Sequence, residues 1–324
     1  MYKVKTYKPS DKQLWNTFVA HSKNATFLFH RDFMDYHQDR FEDFSLLIFN
    51  NEQLVALLPA NKVDNTVYSH QGLTYGGLLL SKTITFDDVL QSFKALLNYL
   101  NTNGITHFQL KLIPKIYHQI PSDEIDYMLF KLKANIIRRD LTCTIDSFNS
   151  LKPNSSNRKR GLKKAIKNEL KVREVQDFEG FWNSVLIPNL QEKHQASPVH
   201  TLAEISYLKS KFPHHIRQFN VFKNKEVVAG VTIFETQNVA HAQYISANNS
   251  KQELGSLDLV FHHLITEVYK EKPYFDFGIS NENQGQHINY GLMSWKESFG
   301  ARSIVHDFYE IETKNVNLLN EIML

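Results

Sequence analysis

Lys296 stands in the run Tyr290-Gly291-Leu292-Met293-Ser294-Trp295-Lys296-Glu297-Ser298-Phe299-Gly300, just after a segment crowded with side-chain amides (Asn281, Asn283, Gln284, Gln286, Asn289) and His287. A lysine beside a reacting carbonyl can hold the negative oxygen of a tetrahedral intermediate, a contribution of about 3 kcal/mol. The same side chain could instead lie on a solvated helix face. Upstream, Glu253-Leu254-Gly255-Ser256 opens an apolar-periodic segment. A glycine before a helix lets backbone N–H groups approach an anion, and the helix dipole favours negative charge there; a plain N-cap at Ser256 is the alternative. The histidines form no HExxH pattern and have no cysteine partner, so no metal site is expected. His194 and His287 are candidates for a general base or for hydrogen bonds to a substrate.

These residues must be positioned by elements that the chain spells twice. Phe49 to Ala60 reads FNNEQLVALLPA and Phe222 to Ile233 reads FKNKEVVAGVTI, each a strand, a polar turn and a second strand. An amphipathic helix follows in each copy: Phe86, Val89, Leu90, Phe93, Leu96, Leu97 and Leu100 in the first, Leu257, Val260, Phe261, Leu264, Ile265 and Val268 in the second. Then come a short buried strand, HFQLKLI from His107 and YFDFGI from Tyr274, and an alternating closing strand, RRDLTCTID from Arg138 and VHDFYEIET from Val305. The copies are displaced by 173 residues at the hairpin (Phe49 to Phe222) and by 167 at the later strands (His107 to Tyr274). Two similar mixed α/β domains are therefore expected, residues 1–150 and 151–324, joined at the polar stretch NSLKPNSSN. Helices are also expected near Ser10 to His21, Arg158 to Leu170, Asp177 to Gln191 and Thr201 to Phe212, the last with a Thr201/Glu204 capping box. Chemistry should sit where the copies differ: position 129 of the first copy, in register with Lys296, is leucine.

Composition sets limits on the function. The 324 residues are 42% hydrophobic and 22% charged, which supports two cores and excludes disorder and fibrous repeats. The N-terminal MYKVKTYKPSD has no apolar run ahead of a cleavage site, and no stretch approaches the roughly 20 apolar residues of a membrane helix, so a soluble cytoplasmic protein is expected. The single cysteine, Cys143, lies in an alternating segment and reads as a buried structural thiol. Lys and Arg number 37 against 34 Asp and Glu, but Arg158 to Arg173 (RKRGLKKAIKNELKVR) concentrates positive charge, either to meet phosphates or simply as a solvated face.

The second copy, from the basic RKRGLKKA helix through VAHAQYISA and LGS to YFDFGIS, resembles the acyltransferase domain of the Gcn5-related N-acetyltransferase (GNAT) superfamily. With a degenerate first copy carrying FLFHRDFMDYHQDRF and SHQGLTYGG, and the ending WKESFGAR, the whole chain is similar to the FemAB-like branch with its tandem domains. The resemblance implies two GNAT-like α/β domains, each a mixed, mostly antiparallel sheet flanked by helices. It implies formation of an amide from an activated acyl donor, aminoacyl-tRNA or acyl-CoA, with no resident cofactor. The acceptor it implies is an amine on a small molecule or on a cell-envelope or polysaccharide precursor. Lys296 would neutralise the oxyanion, with Tyr244 and the backbone up to Ala247 assisting. Trp295, Ala247, Gly255, Ser256 and Asn283 would meet the donor. His70, Gln71, Tyr75, His37, His287 and Asn289 would meet the acceptor, the first three from a polar, glycine-rich stretch expected to line a cleft. Lys163 and Lys164 would contact phosphates. Trp295 is a departure from acyl-CoA enzymes with a tyrosine there, since an indole cannot protonate a leaving thiolate. Two alternatives stand beside this reading: a CoA-dependent acetyltransferase of a small amine, and an inactive tandem domain that binds RNA or a partner.

Overall fold

A computed structural model describes residues 1–151 and 155–323, and the side chain of His194 lies outside what it describes. The middle of the expected linker, residues 152–154, is likewise outside the described residues. The chain forms two compact units, Met1–Asp140 with Val305–Leu324, and Leu141–Ile304.

The duplicated hairpins have the same geometry. In the first unit, strands Leu46–Asn50 and Gln53–Leu58 pair antiparallel with a register shift at Ile48/Phe49, where Ile48 faces Ala56 and Phe49 faces Leu54. In the second, Ile216–Lys223 and Glu226–Glu235 shift register at Val221/Phe222, where Val221 faces Ala229 and Phe222 faces Val227. All four residues are displaced by the 173 positions that separate the two hairpins in sequence. A β-bulge leaves a residue unpaired and bends its strand, so retention at the same place in both copies supports a common origin.

The next feature is also repeated. Thr66–Tyr68 runs parallel to His107–Lys111 over Thr66↔His107, Val67↔Phe108 and Tyr68↔Gln109. Val239–Ala247 runs parallel to Tyr274–Ile279 over Val239↔Tyr274, Ala240↔Phe275 and His241↔Asp276. Each parallel pair is three residues long, and a helix crosses between its strands, as parallel neighbours require. In the first unit this is Phe86–Thr102, capped by Thr85, whose hydroxyl accepts from the Asp88 amide at 3.2 Å. Its predicted stripe is buried, with Val89, Phe93, Leu96, Leu97 and Leu100 all at 0% exposure. In the second unit the helix is Ser256–His263, continued by a wider π-helical turn, Leu264–Val268. The other expected helices form at Lys12–His21, Ser156–Lys167, Glu179–His194 (with a π turn at Trp182–Leu186) and Leu202–Lys211, the last with the Thr201/Glu204 capping box closed.

The closing strands are exchanged. Phe308–Glu312 pairs antiparallel with His107–Lys111 inside the first unit, whereas Asp146, Ile145 and Thr144 pair with Tyr274, Phe275 and Asp276 inside the second. Each copy's central strand thus takes the other copy's closing strand as its neighbour. The compact units therefore break at residue 141 and return at residue 305, whereas the sequence reading divides the chain at 150. Alternation shows which face a strand buries but not which strand it pairs with.

Candidate functional site

In the second unit the parallel pair ends at His241 and Asp276, but its strands continue to Ala247 and Ile279. Past that point Val239–Ala247 is held on one side only, by Glu226–Glu235, with Gln243 the extra residue of a register shift. The Asn248 amide donates to Val228 O at 3.0 Å. Strand alternation then turns the amides of Ala247 and Ile245 the opposite way, and among the described residues no strand pairs with them there. An opening lined by backbone donors results, at the C-terminal end of a parallel strand.

Lys296 reaches the other strand of that opening. The exposed amide-rich stretch makes a small hairpin, Asn281–Glu282 against His287–Ile288. Asn289 then caps helix Tyr290–Glu297, its Oδ1 accepting from the Leu292 amide at 3.0 Å and its Nδ2 donating to Glu282 Oε1 at 2.8 Å. Two helical turns later, Lys296 is 2% exposed, and its Nζ donates to the carbonyls of Gly278 at 2.7 Å and Ile279 at 2.6 Å. Gly278 has φ +76°, in a register irregularity between Asp276 and Ile279. The left-handed conformation, open to glycine, places a carbonyl where the ammonium can bind it. Burial lowers the Lys296 pKa to about 8, against the opposing influence of the Cys143 thiol and the Asp276 carboxylate. Two of the ammonium's three protons are taken by carbonyls, so one remains for a ligand. In the first unit the 167-residue displacement places Leu129 here, a core side chain 1% exposed.

Beside Lys296 lies a group of buried polar residues. Asp276, 0% exposed, accepts at Oδ1 from Thr142 Oγ1, from Thr144 Oγ1 at 3.0 Å and from the Gly278 amide at 3.1 Å. Its Oδ2 lies 2.7 Å from His241 Nδ1. The sequence reading missed His241, whose only signal was a lone imidazole in the strand VAHAQYISA. Cys143 is buried, 3.6 Å from Ser280 Oγ, with its thiol pKa raised by burial; this agrees with a structural thiol.

The other residues singled out from sequence have varied surroundings. The Tyr244 hydroxyl is 2.6 Å from His200 Nδ1 and its ring packs edge-on against Trp182, so it pins a loop to the sheet. Trp295 lies edge-to-face against Phe261, Phe277 and Phe299 at 5.2–5.9 Å between ring centroids. Gly255 has φ +71°, and a Cβ there would lie 2.1 Å from the Gly161 carbonyl oxygen. Helix packing therefore accounts for this glycine without an anion. Ser256 is 0% exposed. Asn283 and His287 bond one another across the tip of the exposed hairpin at 2.8 Å. Lys163 and Lys164 are exposed on helix Ser156–Lys167, Lys164 donating to Gln252 O at 2.8 Å.

His37, His70, Gln71 and Tyr75 belong to the first unit. His70 (φ +71°) and His37 are 5% and 2% exposed and meet edge-on with ring centroids 5.5 Å apart, Gln71 is locked to Asn61 through two 2.8 Å bonds, and Tyr75 donates to Thr26 Oγ1 at 3.1 Å. These contacts give the stretch a structural role of its own. Burial lowers the His70 pKa to about 3, and that of His118 in the same unit to about 4. Both folded pKa values lie below the unfolded value of about 6.5, so the unfolded chain binds more protons as pH falls below 6.5. The first unit should lose about 1.4 kcal/mol of stability per pH unit for each of the two histidines between pH 6 and pH 4. Urea unfolding across that range checks this: His70→Gln should make the pH slope shallower, and an unchanged slope would contradict it.

Among the described residues, no three His, Cys, Asp or Glu side chains gather as a metal would need, and no helix is long and apolar enough to cross a membrane. No family profile and no curated protein matches the chain by sequence. Solved structures do. FemX aligns with 98% of this chain and 100% of its own at 10% identity and TM-score 0.65. L-PGS from Bacillus licheniformis aligns over 96% and 94% at 11% identity and TM-score 0.60. A tandem GNAT protein from the clavulanic acid biosynthesis pathway aligns over 97% and 99% at 8% identity and TM-score 0.51. Likeness at such identities is one of fold, and the fold is the tandem GNAT-type α/β architecture shared with FemX over nearly the whole chain.

Proposed function

We propose that the protein is an N-acyltransferase of the FemAB-like type, joining an activated acyl or aminoacyl group to an amine, with its chemistry in the second unit. The observation that carries this reading is the buried Lys296 ammonium beside the opened parallel strands, present in one copy and replaced by Leu129 in the other. An acyl carbonyl seated against the amides of Ile245 and Ala247 would place its developing oxyanion among fixed donors, which need no reorganisation as charge forms. The names of similar structures carry two acyl groups, lysyl in a putative lysylphosphatidylglycerol synthetase domain from Agrobacterium fabrum (9% identity, TM-score 0.55, over 82% of this chain and 84% of its own) and acetyl in the tandem GNAT protein solved without AcCoA. We favour aminoacyl-tRNA as donor and an amine-bearing cell-envelope precursor as acceptor, with the reaction in the cytoplasm where charged tRNA is made. Incubation with charged tRNA or acyl-CoA and a panel of amines, read by mass spectrometry, tests this. Amide formation from neither donor rejects it.

The exposed basic helix separates the donors. Lys159, Arg160, Lys163, Lys164 and Lys167 project from Ser156–Lys167, and each phosphate contact contributes about −0.7 to −0.9 to the slope of log K against log salt. Lys163→Glu with Lys167→Glu should weaken tRNA binding at least tenfold and flatten the salt slope by about 1.5. An inactive RNA-binding protein would show the same salt response without transfer, and a CoA-dependent enzyme would show none with tRNA.

A further inference from the structure

We propose that His241, oriented by Asp276, is the general base that takes the proton from the attacking amine; this rests on the transferase reading above. The two residues face each other as the last rung of the parallel pair, at the point where the strands part. Asp276 is fully buried and receives Thr142, Thr144 and the Gly278 amide on one oxygen, which fixes the direction of the other toward His241 Nδ1 at 2.7 Å. A carboxylate can only accept, so Nδ1 carries the proton and Nε2 is left as the acceptor of the neutral ring. Among the described residues the ring makes no other hydrogen bond, and 12% of the side chain is reachable by solvent. A buried carboxylate that sets the tautomer of a partly accessible histidine is the arrangement of a base and its orienting group. The first copy has Tyr68 and Gln109 at this rung, so the pair is not a requirement of the fold.

The neutral amine nitrogen bonds to the acyl carbon and the carbonyl π pair moves to oxygen, held by the strand amides and Lys296. His241 Nε2 accepts one amine proton. Collapse of the intermediate breaks the bond to the donor's oxygen or sulfur, which leaves with that proton, and the neutral imidazole is restored. Asp276 touches no reacting atom and is a positioning residue.

His241→Asn tests the proposal with little threat to folding, because its side-chain amide can still donate to Asp276 while Nε2 is lost. With whichever donor the wild type uses, kcat should fall by about 10² to 10³, with the donor's KM within threefold. His241→Ala should fall as far and recover at least tenfold in added imidazole, which a purely structural histidine would not allow. Asp276→Asn should lower kcat at least tenfold with no imidazole rescue. A His241→Asn enzyme within threefold of wild type overturns the inference and leaves the transferase reading standing. A wild type that transfers from neither donor overturns both.

Discussion

Replacing Lys296 with methionine should lower kcat/KM by a factor of about 10² to 10³, the usual consequence of deleting one fixed donor to an oxyanion. For stability, two effects oppose each other. At neutral pH the ammonium is held in a site that lowers its pKa from 10.5 to about 8, which corresponds to about 3 kcal/mol of destabilisation relative to the neutral amine. Methionine removes that penalty but strands the carbonyls of Gly278 and Ile279, at a cost of about 1–3 kcal/mol each. The net change lies between about 1 kcal/mol of stabilisation and about 3 kcal/mol of destabilisation, and urea unfolding of the two proteins measures it. The pH response supplies a second reading. Lys296 is charged below its folded pKa and neutral above it, so wild-type transfer should turn downward above pH 8. The slow Lys296→Met enzyme should keep accelerating as the acceptor amine deprotonates. Asp276 and Cys143 are the charged or titratable neighbours that favour the ammonium, and both are unchanged in the variant. Equal rates for the two proteins at pH 7 would remove Lys296 from the chemistry.

Much of this arrangement is legible in the sequence. The two hairpins and the two apolar-periodic helices declared a duplication, and contrast between copies singled out Lys296, whose counterpart Leu129 is core. What remained hidden was relational. Strand exchange could not be read because Arg138–Asp146 and Val305–Glu312 carry similar alternation, and nothing in a strand's own sequence states its partner. His241 stayed unnoticed for the same reason: it sits 35 residues from Asp276, and only the parallel register brings them together. Conversely, the amides at 281–289 drew attention as a ligand cluster, yet Asn281 accepts from the Leu141 amide, Asn283 meets His287 and Asn289 caps the helix that carries Lys296. They build the site's support through local hydrogen bonds, a use to which short amide side chains are suited. Gly255 was attractive for a real physical property, close backbone approach, but the chain that approaches is its own.

Gly255→Ala should therefore be among the most destabilising single changes in the second unit, whether or not a donor is bound. Two costs add. An L-residue at φ +71° costs about 1–2 kcal/mol, and a methyl group aimed at the Gly161 carbonyl from 2.1 Å forces two helices apart, an overpacking typically worth about 1–3 kcal/mol. The reciprocal Gly161→Ala should cost less, although its Cβ would approach Asp258 Oδ2 to 2.0 Å. A carboxylate at the end of a side chain can rotate away, loosening its ion pair with Arg158, whereas a backbone carbonyl cannot. Urea midpoints should rank wild type above Gly161→Ala above Gly255→Ala, and equal midpoints would show that the helix crossing gives way at Gly255 without cost. A donor-binding defect in any Gly255 variant then cannot be assigned to a lost anion contact. Ser256 offers the cleaner test. Its hydroxyl is buried and, among the described residues, has no hydrogen-bond partner, so Ser256→Ala removes an unsatisfied group and should be neutral or stabilising. If the helix start held the donor's phosphates, the same change would weaken donor affinity in a protein of undiminished stability. Calorimetric titration of Ser256→Ala with CoA and with charged tRNA separates the two, and packing predicts unchanged affinity for both.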